Sequence, residues 1–106
     1  SYDEIFSKQI EWCNDVQAIA LAISSSGNSP NIIHGLKAAR KKEYSTIAIV
    51  GFDGGKVVRD NLADYIIHIK ANNYGVVEDC TQMLMHVIAQ NLRLINTVKN
   101  ISDLKL

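Results

Sequence analysis

The sequence predicts an α/β fold: a doubly wound parallel sheet with helices on both faces, three layers deep. Two observations predict it. Short, unbroken apolar runs alternate with amphipathic segments, and the first two runs each end in a turn rich in serine or glycine. Apolar runs without in–out alternation are strands covered on both faces, as parallel sheets require. Strand–helix alternation in turn implies crossovers that keep the strands parallel.

Each element follows in order. Residues 3–12 carry Ile5, Phe6, Ile10 and Trp12 at near-helical spacing, the pattern of a short helix covering a sheet. Residues 18–23, AIALAI, form the first strand. Ser29-Pro30 starts a helix, with Ser at the N-cap and Pro at the first helical position. It runs through Ile32, Ile33, Leu36, Ala38 and Ala39 to Lys41 and Lys42, cations suited to a helix C-terminus. Residues 46–50 are the second strand, and the loop 51–56 follows with Gly54 and Gly55 available for positive φ. A short helix leads to the third strand, 65–69; Tyr74 and Gly75 shape the next loop, and a long helix from about Val76 to Val98 closes the domain. Three apolar parallel strands leave an open edge. At least one further strand is therefore expected from elsewhere in the protein or from another chain, and the opening at Ser1 reads as mid-domain.

Composition excludes several function classes. Eleven Lys and Arg balance eleven Asp and Glu across 106 residues. No bulk field favours nucleic acid or an acidic surface. The apolar runs are too short to cross a bilayer, and no signal-peptide pattern is visible. Cys13 and Cys80 have neither metal-type spacing nor the number a disulfide framework needs. They read as reduced thiols of a cytoplasmic protein.

The most informative stretch is Ser24-Ser25-Ser26-Gly27-Asn28-Ser29, between the first strand and its helix. A helix N-terminus leaves N–H groups unpaired and carries partial positive charge, which makes it an anion seat. Serine hydroxyls add short donors, and glycine lets the backbone approach a ligand. Phosphate is the anion that fits. One serine is explained as a simple helix cap; three around Gly-Asn are less readily so. The turn has neither a P-loop lysine nor dinucleotide-type glycine spacing, which disfavours a nucleotide. Ligands of such sheets bind beyond the carboxyl ends of the strands, where loop 51–56 with Asp53 also lies. Asp53 reads equally as a turn residue and as a ligand contact.

On the last helix Glu78, Gln82, His86, Gln90 and Arg93 recur every three or four residues as one polar stripe on an otherwise apolar surface. Two readings stand: a solvated face, or a face turned to a site. His86 is either a hydrogen-bonded core histidine or a general acid/base, the usual role of imidazole near neutral pH. Glu78, about two turns away, could face the same cavity or join His86 as a metal ligand. His34 and His68, mid-helix and mid-strand, read as structural or exposed.

These residues together resemble the sugar isomerase (SIS) family, and within it most the phosphoheptose isomerases, over residues 2–92. The likeness rests on Ile23 through Ser29, on Asp53-Gly54-Gly55-Lys56, on Glu78 and His86, and on the opening Tyr2-Asp3-Glu4-Ile5-Phe6-Ser7. The resemblance implies that Ser24, Ser25, Ser26 and Ser29, with Gly27 and Asn28, bind a sugar phosphate. It implies His86 as the acid/base of aldose–ketose proton transfer and, in some members, as a zinc ligand. Glu78 falls where the isomerases carry a Gln, a change of charge at a substrate or metal position. The family's Asn-Gly-Gly phosphate loop, its second His, its catalytic Glu, its N-terminal helices and its first strand have no counterpart in these residues. They thus read as the C-terminal part of an SIS domain, inactive alone and expected in a homo-oligomer, a tetramer by likeness. SIS domains also serve as sugar-phosphate sensors or protein-binding scaffolds, one group binding the bacterial replication initiator, and that is the alternative reading.

Overall fold

A computed structural model describes residues 2–97, with side chains as far as Leu94. After a 3-10 turn at Tyr2–Glu4 the elements are α1 (Ile5–Glu11), β1 (Ile19–Ser24), α2 (Pro30–Lys41), β2 (Ser45–Val50), α3 (Gly55–Arg59), β3 (Tyr65–His68) and α4 (Tyr74–Thr97). The predicted end of the last helix, Val98, lies outside the described residues. The strands form one parallel sheet in the order β1-β2-β3, with Ile23 beside Ile49 and Ile49 beside Ile67.

Because side chains alternate across a strand, the register sorts them into two faces. Ala22, Ala48, Ile66 and Val50 lie on one face and meet Ile33 and Leu36 of α2 and Val57 and Val58 of α3. This is the core. Leu36 and Val57 are 1% and 0% exposed, and a Leu-to-Ala truncation in such a site costs about 2–5 kcal/mol. Helix α4 lies toward the other face. Val77 is fully buried, its methyls filling the space a side chain on Gly51 would need. Far along the same helix, Leu92 shares a cavity with Ala18, with Ile19 at the start of β1 and with Ser45 of β2. The helix thus descends from the carboxyl to the amino ends of the strands.

Two expectations are corrected here. Helix α1 packs on α2 rather than covering the sheet: Phe6 and Ile10 close over Gly35, which has no side chain to hold them off. Trp12, counted as part of its apolar face, is largely exposed. Nor are all strands buried on both faces. With β2 in the middle, β1 and β3 are edges, and Ile19 and Tyr65 are 70% and 68% exposed. One helix is too narrow to cover a three-stranded face.

Strand ends differ from expectation by a residue. The start of α4 is earlier because the Asn73 side chain accepts the Val76 N–H (3.2 Å), an N-cap that places Tyr74 and Gly75 inside the helix. Thr46 and Asp64 exchange backbone-to-side-chain hydrogen bonds (2.9 and 2.8 Å) and fix the start of β2 against the approach to β3.

Candidate functional site

The carboxyl edge of the sheet carries two interlocked loops. The first is the serine turn, residues 24–29. Gly27 takes φ +69°, and a methyl there would lie 1.9 Å from the Gly54 carbonyl oxygen. Only glycine fits such a position. The second loop, 51–55, reaches α3 through Gly54 and Gly55, both at positive φ as expected. The Gly51 N–H donates to the Ser25 carbonyl (2.8 Å) and the Val57 N–H to the Gly27 carbonyl (3.1 Å). The Lys56 N–H donates to Asn28 Oδ1 (2.8 Å).

Within the turn the serines divide their work. Ser24 is buried; its Oγ accepts the Gly27 N–H (3.0 Å) and is hydrogen-bonded to Ser29 Oγ (3.2 Å). Ser26 Oγ accepts the Asn28 N–H (3.1 Å). The Gly27 and Asn28 amides, expected to face an anion directly, are therefore held by hydroxyl oxygens. A hydroxyl that accepts an N–H keeps its own proton to donate, so the turn presents O–H donors backed by backbone dipoles. Ser29 is the N-cap of α2 and Pro30 its first residue, as predicted, but the Ser29 hydroxyl turns to Ser24 instead of capping the helix.

Asp53 is exposed and its Oδ1 accepts the Gly55 N–H (2.9 Å), which accounts for it as a turn residue. His68, half-buried at the end of β3, donates from Nε2 to the Phe52 carbonyl (2.7 Å). Phe52, at φ +51°, meets the Tyr74 ring edge-on at 4.6 Å. Both His68 and Tyr74 thus brace the second loop. His34 is exposed and donates from Nδ1 to the Asp3 carbonyl (3.0 Å). Both histidines are structural or exposed, as the sequence suggested.

The stripe on α4 stands apart. Glu78, Gln82, His86, Gln90 and Arg93 are all exposed, which removes the buried-histidine reading of His86. Val77 marks the height of the serine turn, and His86 is nine residues further, roughly 14 Å down the helix axis at 1.5 Å per residue. The fold therefore does not bring His86 to the serine turn of its own chain. Zinc sites use three or four protein ligands. Among the described residues no group of three His, Cys, Asp or Glu comes together, so Glu78 and His86 do not make a site by themselves.

Two cavities among the described residues lie elsewhere. One, about 440 Å³, runs along the open edge of β1 between Phe6, Ile10, Leu21 and Ile32. The other is the one that Leu92 shares, at the opposite end of the strands.

A parallel sheet whose carboxyl edge bears a hydroxyl-rich strand-to-helix turn, clasped by a glycine loop, defines an α/β domain of the kind that binds its ligands at that edge. No protein-family model matches the chain. It is 34% identical over 87 residues to the phosphoheptose isomerase of Sulfurimonas denitrificans, covering 82% of this chain and 44% of that protein. With the phosphoheptose isomerase of Shewanella denitrificans the identity is 37% over 93 residues, covering 87% and 47%. The solved phosphoheptose isomerase of Neisseria gonorrhoeae superposes with a TM-score of 0.75 at 30% identity, over 83% of this chain and 49% of that one. That of Francisella tularensis gives 0.77 at 25% identity, over 83% and 47%. Over more than four-fifths of its length the chain is similar to phosphoheptose isomerases, proteins of the SIS family. It spans about half the length of the relatives it matches. Among the described residues no helix is long and apolar enough to cross a membrane.

Proposed function

We propose that these residues are the phosphate-binding, C-terminal part of an SIS domain in a cytoplasmic aldose–ketose isomerase acting on a heptose phosphate such as sedoheptulose 7-phosphate. The observation that carries this reading is the serine turn: hydroxyl donors gathered at the start of α2 and held by a second loop. Ser25, Ser26 and Ser29 meet the phosphate, while Ser24 and Gly27 hold the turn's shape.

Isomerisation moves a proton from the carbon beside the carbonyl to the former carbonyl carbon, through an enediol, with no net oxidation. His86 supplies one of the two proton-transfer groups. The resemblance assigns the other to a carboxylate outside these residues. Since His86 lies roughly 14 Å along the axis from the level of its own serine turn, a second subunit or the rest of the protein completes the site, and a homotetramer is the assembly the family likeness favours. Exposed Ile19, Ile23, Tyr65 and Ile67 on the α4-side sheet face, and Met83, Val87 and Leu92 on α4, offer the apolar surface such an assembly buries.

The test is titration of the whole protein with sedoheptulose 7-phosphate. A hydrogen bond to a charged group contributes about 1.5–3 kcal/mol, so each lost hydroxyl should cost roughly tenfold or more in affinity. A Ser26→Ala, Ser29→Ala double variant that binds as tightly as wild type would refute the phosphate seat.

A further inference from the structure

We propose that Asn28 is a positioning residue, whose carboxamide latches the serine turn to α3 and so sets the geometry of the phosphate seat. Three links join the turn to the second loop and α3. Two are backbone bonds, Gly51 N–H to the Ser25 carbonyl and Val57 N–H to the Gly27 carbonyl. The third is the only one of the three made by a side chain: Asn28 Oδ1 accepts the Lys56 N–H at 2.8 Å. It acts at the tip of the turn, next to Ser29, and its own N–H is received by Ser26 Oγ. Asn28 thus ties the hydroxyl of Ser26 to the backbone of Lys56, its own bond to Lys56 spanning 28 residues of sequence.

The space around this bond is shaped for it. A methyl on Gly55 would lie 2.6 Å from Asn28 Oδ1 and 2.3 Å from the Ser26 carbonyl oxygen. Gly55 takes φ +56°, so the second loop approaches the turn closely enough for the carboxamide to reach. Its oxygen is committed to Lys56, and the proposal places the effect of the side chain in the turn, with direct donation from Nδ2 to the ligand as the rival to be tested.

The proposal rests on the phosphate reading, and two measurements on the whole protein separate them: amide hydrogen exchange at Lys56, and binding of inorganic phosphate and sedoheptulose 7-phosphate. In Asn28→Ala the Lys56 amide should lose roughly tenfold in protection, and affinity for both ligands should fall by about threefold to tenfold, the worth of one neutral hydrogen bond. Asn28→Asp keeps the acceptor and restores the protection. Its added charge repels the phosphate at low salt, and affinity recovers toward wild type near 1 M salt, where the Debye length is about 3 Å. Were Asn28 instead to donate from Nδ2 to the phosphate, Asn28→Asp would bind worse than Asn28→Ala at every salt concentration, which overturns the latch. Unchanged Lys56 exchange in Asn28→Ala overturns it too. If wild type binds neither ligand, the phosphate reading falls, and the positioning role with it.

Discussion

At the scale of single residues, the geometry turns on positions where one atom more or less changes a hydrogen bond. Gly27 is the sharpest. Its positive φ and the Gly54 oxygen 1.9 Å from any added Cβ leave no room for alanine. Gly27→Ala should lower stability by more than the roughly 1–2 kcal/mol of left-handed strain alone, read as a fall in the midpoint of urea unfolding. Tyr44 gives a pH test remote from the turn. It is buried, and its hydroxyl donates to the Asp15 carbonyl (2.7 Å). The Cys13 side-chain hydrogen bond, desolvation, and the nearby Cys13 and Asp15 charges raise its pKa above the ordinary 10.0. A raised folded-state pKa stabilises fully below the unfolded value and is lost as pH climbs through the folded one. The urea-midpoint gap between wild type and Tyr44→Phe should therefore narrow as pH rises past about 10. A gap that stays constant across that range contradicts the assignment.

At the scale of elements, the proposed function gives the two loops and α4 separate parts of the chemistry. General acid–base groups contribute about 10²–10⁴-fold to rate, so His86→Gln in the whole protein should lower kcat for heptose phosphate isomerisation by at least ~100-fold while leaving phosphate affinity unchanged. An equal loss of affinity would mean that α4 shapes the seat instead of the chemistry. Most of this was legible in the sequence. The apolar runs located β1, β2 and β3, and Ser29-Pro30 located the start of α2, because burial and cap chemistry are local. What was not legible depends on partners distant in sequence. The Asn28–Lys56 bond spans 28 residues, and nothing in Gly-Asn-Ser distinguishes a carboxamide aimed at α3 from one aimed at a ligand. The Phe6 and Ile10 contacts to Gly35 likewise send α1 to α2, although its apolar spacing fits a sheet equally well. Asn73 did carry a local signal, an Asn just before a helical pattern, and placing the cap there would have set the start of α4 correctly.

At the scale of the whole molecule, the described residues leave one sheet face and much of α4 uncovered. Ile19, Tyr65 and Met83 are each more than 60% exposed, and the edge of β1 opens on an apolar groove. The whole protein should therefore sediment as a stable oligomer at micromolar concentration, and Met83→Glu with Val87→Glu should shift it toward smaller species. An unchanged sedimentation profile in that variant would show that α4 is not the assembling surface. The role proposed for the serine turn is to seat a sugar phosphate for isomerisation. Its most direct test is to incubate the whole protein with sedoheptulose 7-phosphate and follow the aldose product by NMR. The aldose should accumulate to equilibrium, and Ser26→Ala with Ser29→Ala should sharply lower kcat/KM. Tight binding of the ketose phosphate with no aldose formed at any time would contradict it and leave a sugar-phosphate sensor in its place.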